Sequence, residues 1–212
     1  MNTKFRTHLL ALCECSILVA LAVALSFVRV WKMPMGGSVT LVSMLPIFLI
    51  SLRHGKGWAF GSAFLYSLTQ LLQSVIDGDV FVYCEGWFIL VLCILFDYLV
   101  PFTGLAVAGL FKNYRLYRIK DGREAREVSY FGIYLGIFLA ILLRFACHYI
   151  TGVFIWGQWA PEGMGPWVYS LLYNGGFLLP ELVLTVVMAR LILAVPAIRR
   201  LLGIKNCCVV LE

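Results

Sequence analysis

Six apolar stretches divide this chain, at approximately 9–30, 41–52, 58–76, 86–111, 130–156 and 167–195. A helix needs about 20 consecutive apolar residues to cross a bilayer core, so the pattern predicts transmembrane helices. The second stretch is short, contains Pro46, and ends at Arg53, His54 and Lys56. Between the first two stretches, Trp31 to Thr40 holds two glycines and a proline and reads as an outer loop. Between the last two, a Gly- and Pro-rich turn predicts a tight connection. The expected fold is an all-α integral membrane protein, one membrane domain over 1–212 with six transmembrane helices.

Composition agrees with the pattern. Hydrophobic residues make up 62% and charged residues 13% of the 212-residue chain. Soluble domains carry about 45–50% apolar and about 25% charged residues. Six spans use nearly the whole length, so no soluble catalytic or ATP-binding domain is expected, and no GxxxxGK[ST] motif occurs. Any energy input is then expected from another chain. The first stretch is too long for a signal-peptide core and is expected to remain as a span.

The formal net charge is +6. Of seventeen Lys and Arg residues, thirteen fall in the amino-terminal segment, the 53–56 loop, the 112–126 loop and the carboxy-terminal segment. Arg29 and Lys32 lie on the opposite side, with Asp77, Asp79 and Glu85. Positive-inside bias accounts for this better than nucleic-acid binding does, and it predicts cytoplasmic termini in a prokaryotic cell membrane. The seven cysteines are odd in number and scattered, so neither a disulfide framework nor a metal site is expected.

The polar residues inside the stretches carry the candidate chemistry. Glu14 sits near the inner end of the first, where a partner arginine can hold it; Gln70 and Gln73 lie toward the outer end of the third. Asp97 and Tyr98 fall about eleven residues into the fourth, roughly 17 Å below its outer end at 1.5 Å per residue. Pro101 follows four residues later and cannot donate to the Asp97 carbonyl. In the fifth, Arg144, His148, Gly152 and Trp156 recur every four residues, a stripe drifting only about 40° per step. Tyr169, Tyr173 and Asn174 open the sixth. Intramembrane polar groups are costly unless they face a cavity or each other. Their convergence predicts a pocket below the outer surface, with Gly152 leaving room for a ring.

Depth counting puts Arg144 level with Asp97, so an Asp97–Arg144 ion pair is expected, either as pure structure or with a ligand's donors added. Aromatic faces and a carboxylate suit a flat, cationic, nitrogen-rich ligand. A phosphorylated one would want more cations than Arg144. Ala20 and Ala24 form a small-xxx-small pair, read either as packing within the chain or as a docking face for a partner.

Four pieces of sequence carry a family resemblance: GGSVTLVSMLPIFLISLRHG, LFDYLVPF, LLRFACHYITGVFIWGQWAPEG and WVYSLLYNGGFLLPE. With RxxxHxxxG and YSLxYN in this order, the chain resembles the thiamine-specific S components of energy-coupling-factor vitamin transporters. The resemblance implies a six-helix subunit without catalysis, metal or cofactor. It implies thiamine as ligand, and a transmembrane coupling protein and two ABC-type ATPases as partners. Asp97, Tyr169 and Asn174 would hold the aminopyrimidine, and His148 and Trp156 the thiazolium. Gly152 matches the small residue beside the ring, Tyr98 the tyrosine after the acid, and Trp31 an aromatic of the first outer loop. Ala20 and Ala24 match the docking motif. Asp97 and Arg144 stand where some members carry Glu and Lys.

Two alternatives differ in ligand or class. One is an S component for another flat vitamin or precursor, such as riboflavin or a pyrimidine. The other is an intramembrane enzyme with His148 as base and Asp97 as orienter. Cys147 adjoins His148, but neighbouring helical residues point about 100° apart, which disfavours a nucleophile–base pair.

Overall fold

The computed structural model describes residues 3–78, 83–112, 114–118, 124–128 and 130–202; at 35, 114–118, 124–128 and 200 it describes backbone only. Asp79, Lys120, Arg123 and Lys205, used above in the charge count, lie outside the described residues.

Each apolar stretch contains a helix. The first is α1 (Thr3–Phe27), which buries Ala11, Cys15, Val19, Ala22 and Ser26 at three- and four-residue spacing. The second is α2 (Leu45–Arg53), nine residues long. At 1.5 Å per residue it covers only about 14 Å, too little for a bilayer core. Pro46 sits in its first turn, where its missing N–H costs nothing, and the chain before it is spent on a turn. Next comes α3 (Lys56–Asp77), 22 residues with more polar positions. The fourth rod runs from Trp87 to Phe111 and includes α4 (Trp87–Cys93) and α5 (Val100–Thr103). The fifth and sixth stretches form α6 (Tyr130–Phe154) and α7 (Pro166–Ala194), with α8 (Pro196–Leu201) after them. Among the described residues four helices are long and apolar enough to cross a membrane: α1, the fourth rod, α6 and α7.

Two hairpins depart from an all-helical expectation. Strands β1 (Arg29–Lys32) and β2 (Ser38–Thr40) pair antiparallel across the Pro34–Gly36 turn, and β3 (Tyr114–Arg118) pairs with β4 (Glu124–Val128). The β1–β2 hairpin, with strands of four and three residues, covers too few positions to stand out beside the long apolar runs.

The core is continuous, with Met44, Ile47, Phe48, Ile50, Tyr66, Leu105, Ile133 and Ile137 almost wholly buried. Glu14 is held as expected: Arg53 donates to both carboxylate oxygens, at 2.6 Å each. Ala20 and Ala24, by contrast, are exposed on the outer face of α1. Among the described residues nothing buries this pair; the close-packed face of α1 is the Ala11–Ser26 stripe.

Candidate functional site

A cavity opens between the β1–β2 hairpin, α3, the fourth rod, α6 and α7. The fourth rod places its acid by a local irregularity. Residues Ile94–Leu99 form a π-helical turn, with the Val100 N–H reaching the Leu95 carbonyl. Pro101 supplies no N–H, so the helix widens by a residue before it, as π-bulges at functional sites do. That widening carries Asp97 into the protein, 8% exposed.

Asp97 does not pair with Arg144. Its Oδ1 accepts from Thr151 Oγ1 and from His148 Nδ1 at 3.1 Å. Its Oδ2 accepts from Trp156 Nε1 at 3.0 Å and from Cys93 Sγ at 3.3 Å. The expected ion pair fails because depth was counted from a common outer level. Trp87 begins the fourth rod ten residues before Asp97, while α6 ends at Phe154, three residues after Thr151, before a 3-10 turn, Trp156–Trp159. The fourth rod reaches further out, and Asp97 lies level with His148–Trp156, about two helical turns above Arg144.

Arg144 is instead committed to Glu181. Its Nη1 donates to Glu181 Oε2 at 3.1 Å, and its guanidinium lies 4.3 Å from the centre of the Phe102 ring. Its Nε lies 3.3 Å from His148 Nε2. Arginine can only donate, so Nε2 is the acceptor and the proton sits on Nδ1, facing Asp97. His148 is thus a neutral imidazole bridging a cation and a carboxylate. Phe102 and Phe177 meet its ring edge-to-face, at 6.5 and 6.0 Å.

The stripe Arg144, His148, Gly152 and Trp156 faces the cavity throughout. Gly152 lines the cavity and also has a packing task. A Cβ there would lie 2.2 Å from Ser170 Oγ and 3.0 Å from Asn174 Nδ2, so the glycine lets α7 approach α6. Asn174 then lies 3.1 Å from the His148 carbonyl and 3.0 Å from that of Ser170 through Nδ2. Tyr98 lines the wall with its hydroxyl 2.6 Å from Ser74 Oγ, and Tyr169 lines the mouth, tilted against Tyr173 at 5.7 Å.

Trp31 does not reach the cavity. It is 54% exposed, while Arg29 of the same strand lines the wall. The β1–β2 register shifts between Arg29 and Trp31, which breaks the alternation that would have put both on one face.

Tyr173, singled out with Tyr169 and Asn174, has a task the sequence did not show, and Asp77, Glu181 and Thr151 join the site without having been singled out for it. Tyr173 clamps the hairpin: its hydroxyl donates to the Pro34 carbonyl and accepts from the Gly37 N–H at 2.9 Å. Gly37 is required there, since a Cβ would meet that hydroxyl at 2.7 Å. Asp77 pairs with Arg29 across the mouth. Glu181, 2% exposed, follows Asn174 by seven residues; two helical turns on one face was the signal that could have found it. Thr151, one turn after His148, carried the same kind of signal.

Residues 12–200 match the family model described as thiamine transporter protein. The chain belongs to the thiamine transporter family. It is 32% identical over 193 residues to the thiamine transporter ThiT of Bacillus subtilis, covering 89% of this chain and 93% of the relative. With the thiamine transporter ThiT of Lacticaseibacillus paracasei it shares 28% over 194 residues, 89% of each chain. A solved structure of ThiT from Listeria monocytogenes superimposes with a TM-score of 0.61 at 20% identity, over 91% of this chain and 98% of that one. At that identity the superposition speaks for the fold. With four helices able to cross a bilayer, this member of the thiamine transporter family is a multi-pass membrane protein.

Proposed function

We propose that this chain binds thiamine from the outer side of the membrane and serves as the substrate-binding subunit of an ATP-driven importer. The observation that carries the reading is the charge balance of the cavity. Three carboxylates line it; Asp77 is paired with Arg29 and Glu181 with Arg144, while Asp97 faces a neutral imidazole. Four donors surround its oxygens, and none of them is a cation. One uncompensated negative charge beside Trp156, Tyr98 and Tyr169 suits a flat monocation, and thiamine carries one positive charge on its thiazolium.

A carboxylate offers about four lone-pair sites, and those of Asp97 are all occupied. A ligand amino group would therefore replace a donor, and the Cys93 thiol is the weakest of the four. His148, Gly152, Trp156, Tyr169 and Asn174 complete the proposed thiamine contacts. Arg144 acts through His148, and Trp31 has no part while the hairpin holds this register. Transport rather than catalysis fits the hydrogen bonding. Both ring nitrogens of His148 are engaged, with Asp97 and Arg144, so no nucleophile is served by it.

The exposed Ala20–Ala24 face of α1 gives a partner helix a surface for close approach, which supports docking on a membrane coupling protein served by two ATPases. Cytoplasmic termini follow from the basic-residue bias. The test is reconstitution. Proteoliposomes holding this chain alone should not accumulate labelled thiamine, and adding a coupling protein with ATPases and ATP should start accumulation. Uphill accumulation by the chain alone would refute the subunit reading.

A further inference from the structure

Glu181 lies two turns below Asn174 on the same face of α7, and its carboxylate accepts three hydrogen bonds. The Thr40 N–H donates to Oε1 at 2.9 Å, the Thr40 hydroxyl to the same atom at 2.6 Å, and Arg144 Nη1 to Oε2 at 3.1 Å. Three donors, one of them the Arg144 guanidinium, thus close on a carboxylate that is 2% exposed. Arg144 is nearly as buried, at 8%, and takes its remaining contacts from Met44 Sδ, His148 Nε2 and the Phe102 ring. None of those three carries a charge. Glu181 alone cancels the buried cation among the described partners of Arg144. Without it, a full positive charge would sit one imidazole away from Asp97, in surroundings that screen it poorly.

We propose that Glu181 is a specificity-determining residue: by neutralising Arg144 it leaves Asp97 as the net charge of the cavity, and so selects a cationic ligand over a neutral one of the same shape. Glu181 does this through Arg144. This rests on the reading of the cavity as a thiamine site, and it adds to that reading a residue that sets preference rather than contact.

The test compares two probes on the purified full-length chain. One is thiamine; the other is its isostere in which a neutral thiophene replaces the thiazolium. Wild type should prefer the cation. Glu181→Gln keeps an oxygen for Thr40 but leaves Arg144 uncompensated. The preference for the cation should then fall roughly 10- to 100-fold, most of it as lost thiamine affinity. Arg144→Gln with Glu181→Gln restores the balance and should restore the preference. Arg144→Gln alone leaves Glu181 in excess and should raise the preference, and it carries the test where Glu181→Gln does not fold. A role in folding alone would weaken both probes together and leave their ratio unchanged. An unchanged ratio in either single variant overturns the inference while thiamine binding by wild type stands. No thiamine binding by wild type overturns the thiamine reading and this inference with it.

Discussion

Asp97→Asn changes almost no volume and strikes the one cavity acid without a cation beside it. In the structure its carboxylate takes four donors: Thr151 Oγ1 and His148 Nδ1 on Oδ1, Trp156 Nε1 and Cys93 Sγ on Oδ2. An asparagine can keep Oδ1 in place, but its amide nitrogen then faces the Trp156 N–H at 3.0 Å, donor against donor. Leaving that buried N–H unsatisfied costs about 1–3 kcal/mol of stability. Losing a charged acceptor for the ligand costs about 1.5–3 kcal/mol of binding. At about 1.4 kcal/mol per decade, that is a ten- to more than hundredfold weaker Kd. Calorimetric titration of the folded fraction measures the second effect and thermal unfolding the first. Trp156→Phe separates them, because it removes the N–H and keeps an aromatic face. It should also relieve the donor clash when added to Asp97→Asn. Wild-type thiamine affinity in folded Asp97→Asn would refute the assignment of this carboxylate.

Gly152→Ala should weaken both binding and folding, by about 1–3 kcal/mol of stability, since its methyl would meet Ser170 Oγ at 2.2 Å; Ser170→Gly should recover part of the loss. Ala20→Trp with Ala24→Trp should abolish uptake by the assembled transporter while thiamine titration of the isolated chain stays normal, and equal loss of both would refute docking there. On a cysteine-free background, Glu162→Cys should react with a membrane-impermeant maleimide on intact cells and Lys56→Cys only after permeabilisation; the opposite pattern would invert the topology. Glu14→Gln should lower thermal stability by no more than about 1 kcal/mol, because the pair with Arg53 is part-exposed, and should leave thiamine affinity unchanged.

Period and hydropathy made the helices legible, and the four-residue stripe from Arg144 to Trp156 correctly identified the α6 face that lines the cavity. Relative heights were not legible. Counting from span ends cannot show that the fourth rod projects beyond α6, so Asp97 was matched with Arg144 instead of His148, Thr151 and Trp156. The π-turn was half visible: Pro101 announced a backbone gap, but only packing decides that the gap is absorbed by widening around Asp97. The hairpin was hidden because a strand of three or four residues leaves almost no periodic signal, and the register shift that turns Trp31 away leaves none. Glu181 stood in plain sight on the Asn174 face, yet its value comes from Arg144 and Thr40, 37 and 141 residues away in the chain. The resemblance proposed ligand contacts, and it did not point to the Arg144–Glu181 pair.

The central claim is that the Asp97 cavity takes thiamine as an intact cation. Calorimetric titration of the purified wild-type chain in detergent, with the ligand recovered afterwards, tests it most directly. The account predicts one saturable site per chain with a Kd below about 1 μM, about 8 kcal/mol of binding free energy, and chemically unchanged thiamine. Absence of saturable binding at millimolar thiamine, tighter binding of riboflavin, or a recovered ligand that has been altered would contradict it.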